Sequence, residues 1–276
     1  MTYEFVDTNE AAFKSYASIQ TIVNGLNLDE YLDGFRTLNV SGRSIIARDI
    51  ETLQYSSKNN AGSKATRASN SNLQANKFIS STVQNVIIEV EFLLTAPNNE
   101  LFRKYLTCLT KNLLEEESKW AWTDDPFYYY VGTLTEMGKV VEDSNTYKSS
   151  FKIVCVDPMK YSKHSKILKG AGTKIKMPKT SDIVEILNIK LVPKMATNKI
   201  MIVNNNQNLK VILNYNFKSG NVINFAPDKD VKINGLNGMT ALNLISDKEE
   251  FNAQSEEVIG LNTECDYEIE YRFRSF

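Results

Sequence analysis

A single histidine, His164, in 276 residues leaves little material for acid–base or nucleophilic chemistry near neutral pH. It stands among serines and lysines, which reads as a solvated linker position. The three cysteines, Cys108, Cys155 and Cys265, are odd in number, far apart and without CxxC spacing. That excludes a disulfide framework and a cysteine-based zinc site, and leaves them as small buried apolar groups. No apolar run approaches the roughly 18 residues of a membrane helix. The start, MTYEFVDTNE, is acidic and has no basic stretch leading into an apolar one, so no secretory signal is expected and the chain should be made in a cytoplasm. A net charge of −1 gives no polyelectrolyte surface for nucleic acid. P-loop, GxGxxG, HExxH and EF-hand patterns are missing as well. The sequence therefore points to no catalytic residue, no metal ligand set and no cofactor.

What is present is an ordinary globular composition, 42% hydrophobic and 24% charged. Acids exceed bases up to Lys160, and bases exceed acids beyond it. Asp7 to Gly25 reads as a helix, with Asp7 and Glu10 as a capping box, Phe13, Tyr16, Ile19, Ile22 and Val23 as its stripe, and Gly25 as its stop. Tyr31–Val40 and Ser44–Tyr55 read as short strands or loops. Lys58 to Lys77 has almost no large apolar residue and no acid, so it reads as an exposed loop or loose hairpin. Val86–Leu94 alternates as a strand, and Asn98–Asn99 then opens a helix lined by Leu101, Phe102, Tyr105, Leu106, Leu109, Leu113 and Leu114. Lys119–Trp122, Phe127–Met137 and Tyr147–Val156 read as strands, with a turn at Thr123–Pro126.

Between Lys160 and Lys179 the chain is basic and glycine-containing, which suggests a connector between domains. Everything after Ser181 reads as β: Ile183–Val192, Lys199–Val203, Leu209–Phe217, Asn221–Phe225, Asp230–Asn234, Ala241–Ile245 and Tyr267–Phe273. Asn234–Gly235 and Asn237–Gly238 supply hairpin turn signals. The expected fold is mainly β with one or two helices, with domains at 1–165 and 166–276, the second a β-sandwich.

Two features invite a functional reading. The aromatic cluster Trp120, Trp122 and Phe127 to Tyr130 fits a core, an oligomer interface or a stacking platform for sugars or bases. The basic segment with Lys58, Lys64, Arg67 and Lys77 fits a solvated loop, an arm onto another protein, or a DNA contact. The acidic groups Asp124–Asp125 and Glu115–Glu117 read as solvated turns, not catalytic pairs.

Residues 36 to 165 resemble the N-terminal domain of the siphophage distal tail proteins. The resemblance rests on the order of segments: a polar loop around Gly62, VIIEVEFLL, ELFRKYLTCLTKNLL, TDDPFYYYVG and FKIVCVDPMKYS. VKINGLNGMTALNLISDKEEF is similar to a segment of that family's second, galectin-like domain. The resemblance implies an α+β ring domain, a galectin-like sandwich and no enzyme. It also implies a structural protein of the virion tail tip: a homo-hexameric baseplate-hub ring between the tail tube and the tail-associated and receptor-binding proteins. DNA would pass through the ring without sequence-specific contact, and no membrane is involved. Lys58, Lys64, Arg67, Lys77, Phe127, Tyr129 and Tyr130 would then be candidate contacts to neighbouring subunits or partners. An adhesin for host cell-wall carbohydrate is the alternative, and a wall-cleaving hydrolase the enzyme rival.

Overall fold

The computed structural model describes residues 19–44, 47–55, 75–139, 145–227 and 229–276. It is mainly β, in two compact units: residues up to Asp124 with Val131–Pro158, and Asp125–Tyr130 with Met159–Phe276.

The first unit begins with β1 (Thr21–Val23) and β2 (Leu26–Asn27), then a short helix α1 (Leu28–Tyr31) and β3 (Phe35–Ser41). β1 corrects the helix expected over 7–25, most of which lies outside the described residues. Ile22 pairs with Asn27 and Val23 with Leu26 across Asn24 (φ 49°) and Gly25 (φ 86°). Asn–Gly is the residue pair that a tight two-residue hairpin favours, because both central positions need positive φ. The glycine read as a helix stop is thus half of a β-turn. Asn24 is also held from outside, accepting from the Lys119 amide (2.7 Å) and donating to Glu115 (2.8 Å).

β4 (Arg48–Tyr55) and β5 (Ala75–Val83) form a separate two-stranded antiparallel ladder. Positions 58–74 of the polar segment lie outside the described residues, but its final residues belong to β5. β6 (Val86–Thr95) buries Val86, Ile88, Val90, Phe92 and Leu94 on one face, as the alternation demands. It pairs with β3 and with β9 (Thr146–Cys155). Between them lie α2 (Asn99–Leu113), β7 (Ser118–Trp122) and β8 (Tyr128–Met137). Asn98 caps α2 by accepting from the Leu101 amide at 2.9 Å, and Phe102, Leu109 and Leu113 are its buried residues, while Leu114, expected on that face, is the exposed C-cap. The core is an aromatic file, Phe35 on Phe92 (5.4 Å), Phe92 on Phe151 and Phe151 on Trp120 (both 5.8 Å).

The second unit contains β10 (Lys160–Ser162), β11 (Lys166–Lys176), β12 (Ile183–Pro193), β13 (Thr197–Asn204), β14 (Leu209–Phe217), β15 (Ile223–Phe225), β16 (Lys232–Ile233), β17 (Leu236–Asn237) and β18 (Val258–Ser275). β18 organises it. Residues 265–274 pair with β12, 258–260 and 265–271 with β11, and 259–261 with β13, so one long strand joins all three. Inward residues of β12 and β15 (Ile189, Leu191, Ile223, Phe225) and of β13 and β14 (Ile200, Ile202, Val211, Leu213) join one buried core. β14 buries Val211, Leu213 and Phe217 as the alternation expects, but Ile212 is buried between the first two, and Tyr215, within a register shift against β13, turns outward.

Three further expectations change here. The basic connector of 160–179 is largely strand, β10 and β11. Asn234–Gly235 does make the β16–β17 hairpin, with φ of 51° and 80°. Asn237–Gly238 does not; the Asn237 side chain accepts from the Met239 amide and starts a 3-10 turn, Met239–Ala241. In place of a strand at 241–245, only Leu242 bridges to Leu213.

Candidate functional site

The aromatic run singled out in the sequence resolves into two environments. Trp120 and Trp122 are buried in the first unit, and the Trp120 indole donates to the Gly132 carbonyl at 2.9 Å. They are core, and no sugar or base can stack on them there. Phe127 to Tyr130 belong to the second unit, where Tyr128 and Tyr129 pair with Ser162 and Tyr161 of β10.

Around that pairing the second unit builds a layered cluster of cations and aromatic rings. Tyr129 stacks on Tyr161 at 5.7 Å. The guanidinium carbons of Arg272 and Arg274 lie 4.5 and 5.1 Å from the Tyr161 ring. Arg272 donates to both oxygens of Glu185 and, at 2.7 Å, to the Tyr129 hydroxyl. Lys160 sits 4.7 Å over the Tyr128 ring and 2.9 Å from Asp125. Burial pushes the Tyr129 hydroxyl above its ordinary pKa, and Glu185 adds to the rise while Arg272 opposes it. For Arg272 burial works against the charge, but the hydrogen bond and charge of Glu185 outweigh it and raise its pKa. Every charged group in this stack has a partner of opposite sign or an aromatic face. It can hold strands together and present a surface, but it offers no activated nucleophile.

The candidate contact residues fall unevenly. Lys58, Lys64 and Arg67 lie outside the described residues, and the backbone of Lys77 pairs with Leu53 in the β4–β5 ladder. Phe127 is 67% exposed, while Tyr129 and Tyr130 are 9% and 6% exposed within their own chain. Sequence reasoning missed Glu185, Tyr161, Arg272 and Arg274. The available signal was the alternation of cations with aromatics in Tyr271–Arg272–Phe273–Arg274.

Other candidates for chemistry are occupied. Asp124 takes a bidentate pair from Arg43, and Asp125 takes Lys160. Burial, reinforced by Asp157, pushes the Cys155 thiol up to about 12; burial, with Asp266 and Glu264, pushes Cys265 up to about 11. Both are neutral thiols near pH 7. His164 is exposed between β10 and β11. Among the described residues, no group of three or more His, Cys, Asp or Glu side chains is placed to hold a metal, and no helix is long and apolar enough to cross a membrane.

The likeness to known structures spans nearly the whole chain. The crystal structure of the Dit protein of phage SPP1, described as a paradigm of the hub adsorption apparatus in phages infecting Gram-positive bacteria, superimposes with a TM-score of 0.71 at 13% identity, covering 94% of this chain and 99% of that one. The chain has the distal tail protein fold. Chains of the phage p2 baseplate in its activated conformation, with strontium or calcium, match at TM-scores of 0.44 and 0.45 and 10% and 11% identity. They cover 91% and 94% of this chain and 97% and 98% of those chains. No protein family and no curated protein matches by sequence.

Proposed function

We propose that the chain is a non-enzymatic structural subunit of a tailed-phage tail tip. Six copies close into a baseplate-hub ring that joins the tail tube to tail-associated and receptor-binding proteins. Residues 1–165 supply the ring and its contacts, and residues 166–276 form an outward docking domain. DNA passes through the ring without sequence-specific contact. The subunit is made in the host cytoplasm and ends in the virion. The observation that carries this reading is the fold shared with the SPP1 hub protein over 94% of the chain. The paired carboxylates and neutral thiols agree with a role that lies in surfaces, since fold alone does not assign function.

The test is the mass of the purified chain by light scattering, with negative-stain imaging of the same sample. A cyclic particle of six 31.3 kDa subunits is expected. A protein that stays monomeric at every concentration, and after addition of the tail tube protein of the same phage, would remove the ring.

A further inference from the structure

Among the described residues, β11 is an open edge. Ten of its eleven residues pair with β18, it pairs with no other of the described strands, and it is the longest single-partner strand among them. No loop backbone in those residues hydrogen-bonds to 166–176 either. Eleven residues extend roughly 36 Å, and alternate N–H and C=O groups on the free side point away from the sheet.

Such an edge is an invitation to pairing, and folded proteins guard it with lysines and bulges. β11 has both. Lys166, Lys169, Lys174 and Lys176 are exposed, the strand holds no acid, and its register against β18 shifts between Gly172 and Lys174. Lys166 lies over the Phe273 ring (4.5 Å) and Lys169 pairs with Glu268 (3.0 Å). The sheet face over β18 carries a depression of about 490 Å³, bordered by Lys169, Gly170 and Ala171 of β11, Asp266 and Glu268 of β18 and Lys190 of β12, so it lies inward of the edge.

The lysines discriminate between occupants. Lys169, Lys174 and Lys176 lie on the sheet face away from Leu168 and Ile175, so a second copy added antiparallel would set Lys169 of one β11 beside Lys174 and Lys176 of the other, placing like charges opposite one another, which is destabilising. An extended segment with carboxylates on alternate residues would set opposite charges there. We propose that the free edge of β11 docks an extended acidic segment of another protein, which adds as a further strand. Main-chain hydrogen bonds supply the affinity, and the lysines select carboxylates. This docking stands apart from ring closure.

The probe is a labelled, end-capped ten-residue peptide of alternating Glu and Val, titrated into the full chain by fluorescence anisotropy. Its partner is the same peptide with every Val replaced by Pro, which keeps the charge and removes those backbone donors. The Glu–Val peptide is expected to bind and to slow amide hydrogen exchange within 166–176. The Pro peptide, and the Lys174→Glu/Lys176→Glu variant with the Glu–Val peptide, should each bind about tenfold more weakly. The variant should keep the wild-type oligomeric mass. Equal binding of the Pro peptide would reduce the effect to bulk charge and overturn the proposal. So would absence of binding, protection confined to other strands, or protection of β11 that rises with protein concentration alone, which would mean that a second copy covers it. Peptide binding without rings would remove the ring reading and leave this one; rings without peptide binding would do the reverse.

Discussion

Arg272 and Glu185 stand directly opposite each other on β18 and β12, and the guanidinium closes on both carboxylate oxygens, Nε at 2.5 Å and Nη2 at 3.0 Å. The remaining nitrogen reaches the Tyr129 hydroxyl, so one side chain ties three separate stretches of the second unit.

Arg272→Ala should therefore cost more than a surface ion pair. Both side chains keep some solvent contact, 24% and 29% exposed, so about 2 kcal/mol is expected, below the 3–5 kcal/mol of a fully buried pair. Arg272→Lys should recover less than half, because an ammonium cannot bridge two oxygens and a hydroxyl in one plane. A double-mutant cycle with Glu185→Ala, read by denaturant unfolding, should give a coupling of about 1 kcal/mol or more.

In the first unit the buried Asp29 carboxylate accepts from the Thr37 amide and hydroxyl (both 2.7 Å) and from the Thr21 amide (3.1 Å). Asp29→Ala strands those donors and should destabilise by about 3 kcal/mol. Asp29→Asn should fare little better, since its NH2 group would face a donor whichever way it turns. A loss within experimental error for either variant would show that the cradle is dispensable.

The thiols make stability fall at alkaline pH. Cys155 and Cys265 have folded pKa values raised to about 12 and about 11 from an ordinary 9.0. A raised pKa favours the protonated form in the fold, so its contribution is complete below pH 9 and is lost as pH climbs from there toward 12. Unfolding titrations should show that decline, and Cys155→Ala should flatten part of it. In the native protein an aromatic disulfide reagent should label the partly exposed Cys108 first, and all three thiols only after unfolding.

Phe127 and Tyr130 should separate assembly from stability. Tyr130 is buried, so Tyr130→Ala should lower stability by about 3 kcal/mol. Phe127 is largely exposed, so Phe127→Ala should leave unfolding unchanged and, if this position faces a neighbour, weaken rings by about 2 kcal/mol. Sedimentation reads the second effect. On the proposed ring reading, excision of 59–74 is expected to leave a folded subunit that does not close into rings; rings at the concentration where the intact chain forms them would assign the contacts to the strands alone.

The division between what was legible and what was not follows the range of the forces involved. The alternation of Val86 to Leu94, the Asn98 cap with its apolar helix face, and the Asn234–Gly235 hairpin are all local, and the residues alone determined them. Ile19, Ile22 and Val23 suit a helical stripe as well as a strand edge. Pairing of Thr21–Val23 with Trp120–Trp122, about a hundred residues later, decided in favour of the strand. The stretch 160–179 looked like a connector because lysines dominate it. Only the presence of β18, a whole domain away in sequence, turns Lys166–Lys176 into a strand with one face of its ladder filled. Likewise the density of tyrosines marked Phe127–Tyr130, but Arg272 lies 143 residues from Tyr129. Propensity and turn chemistry act over a few residues, so they can be read in order; register, partner strands and the pairing of buried charges depend on which distant segments meet, and the tertiary structure alone decides that.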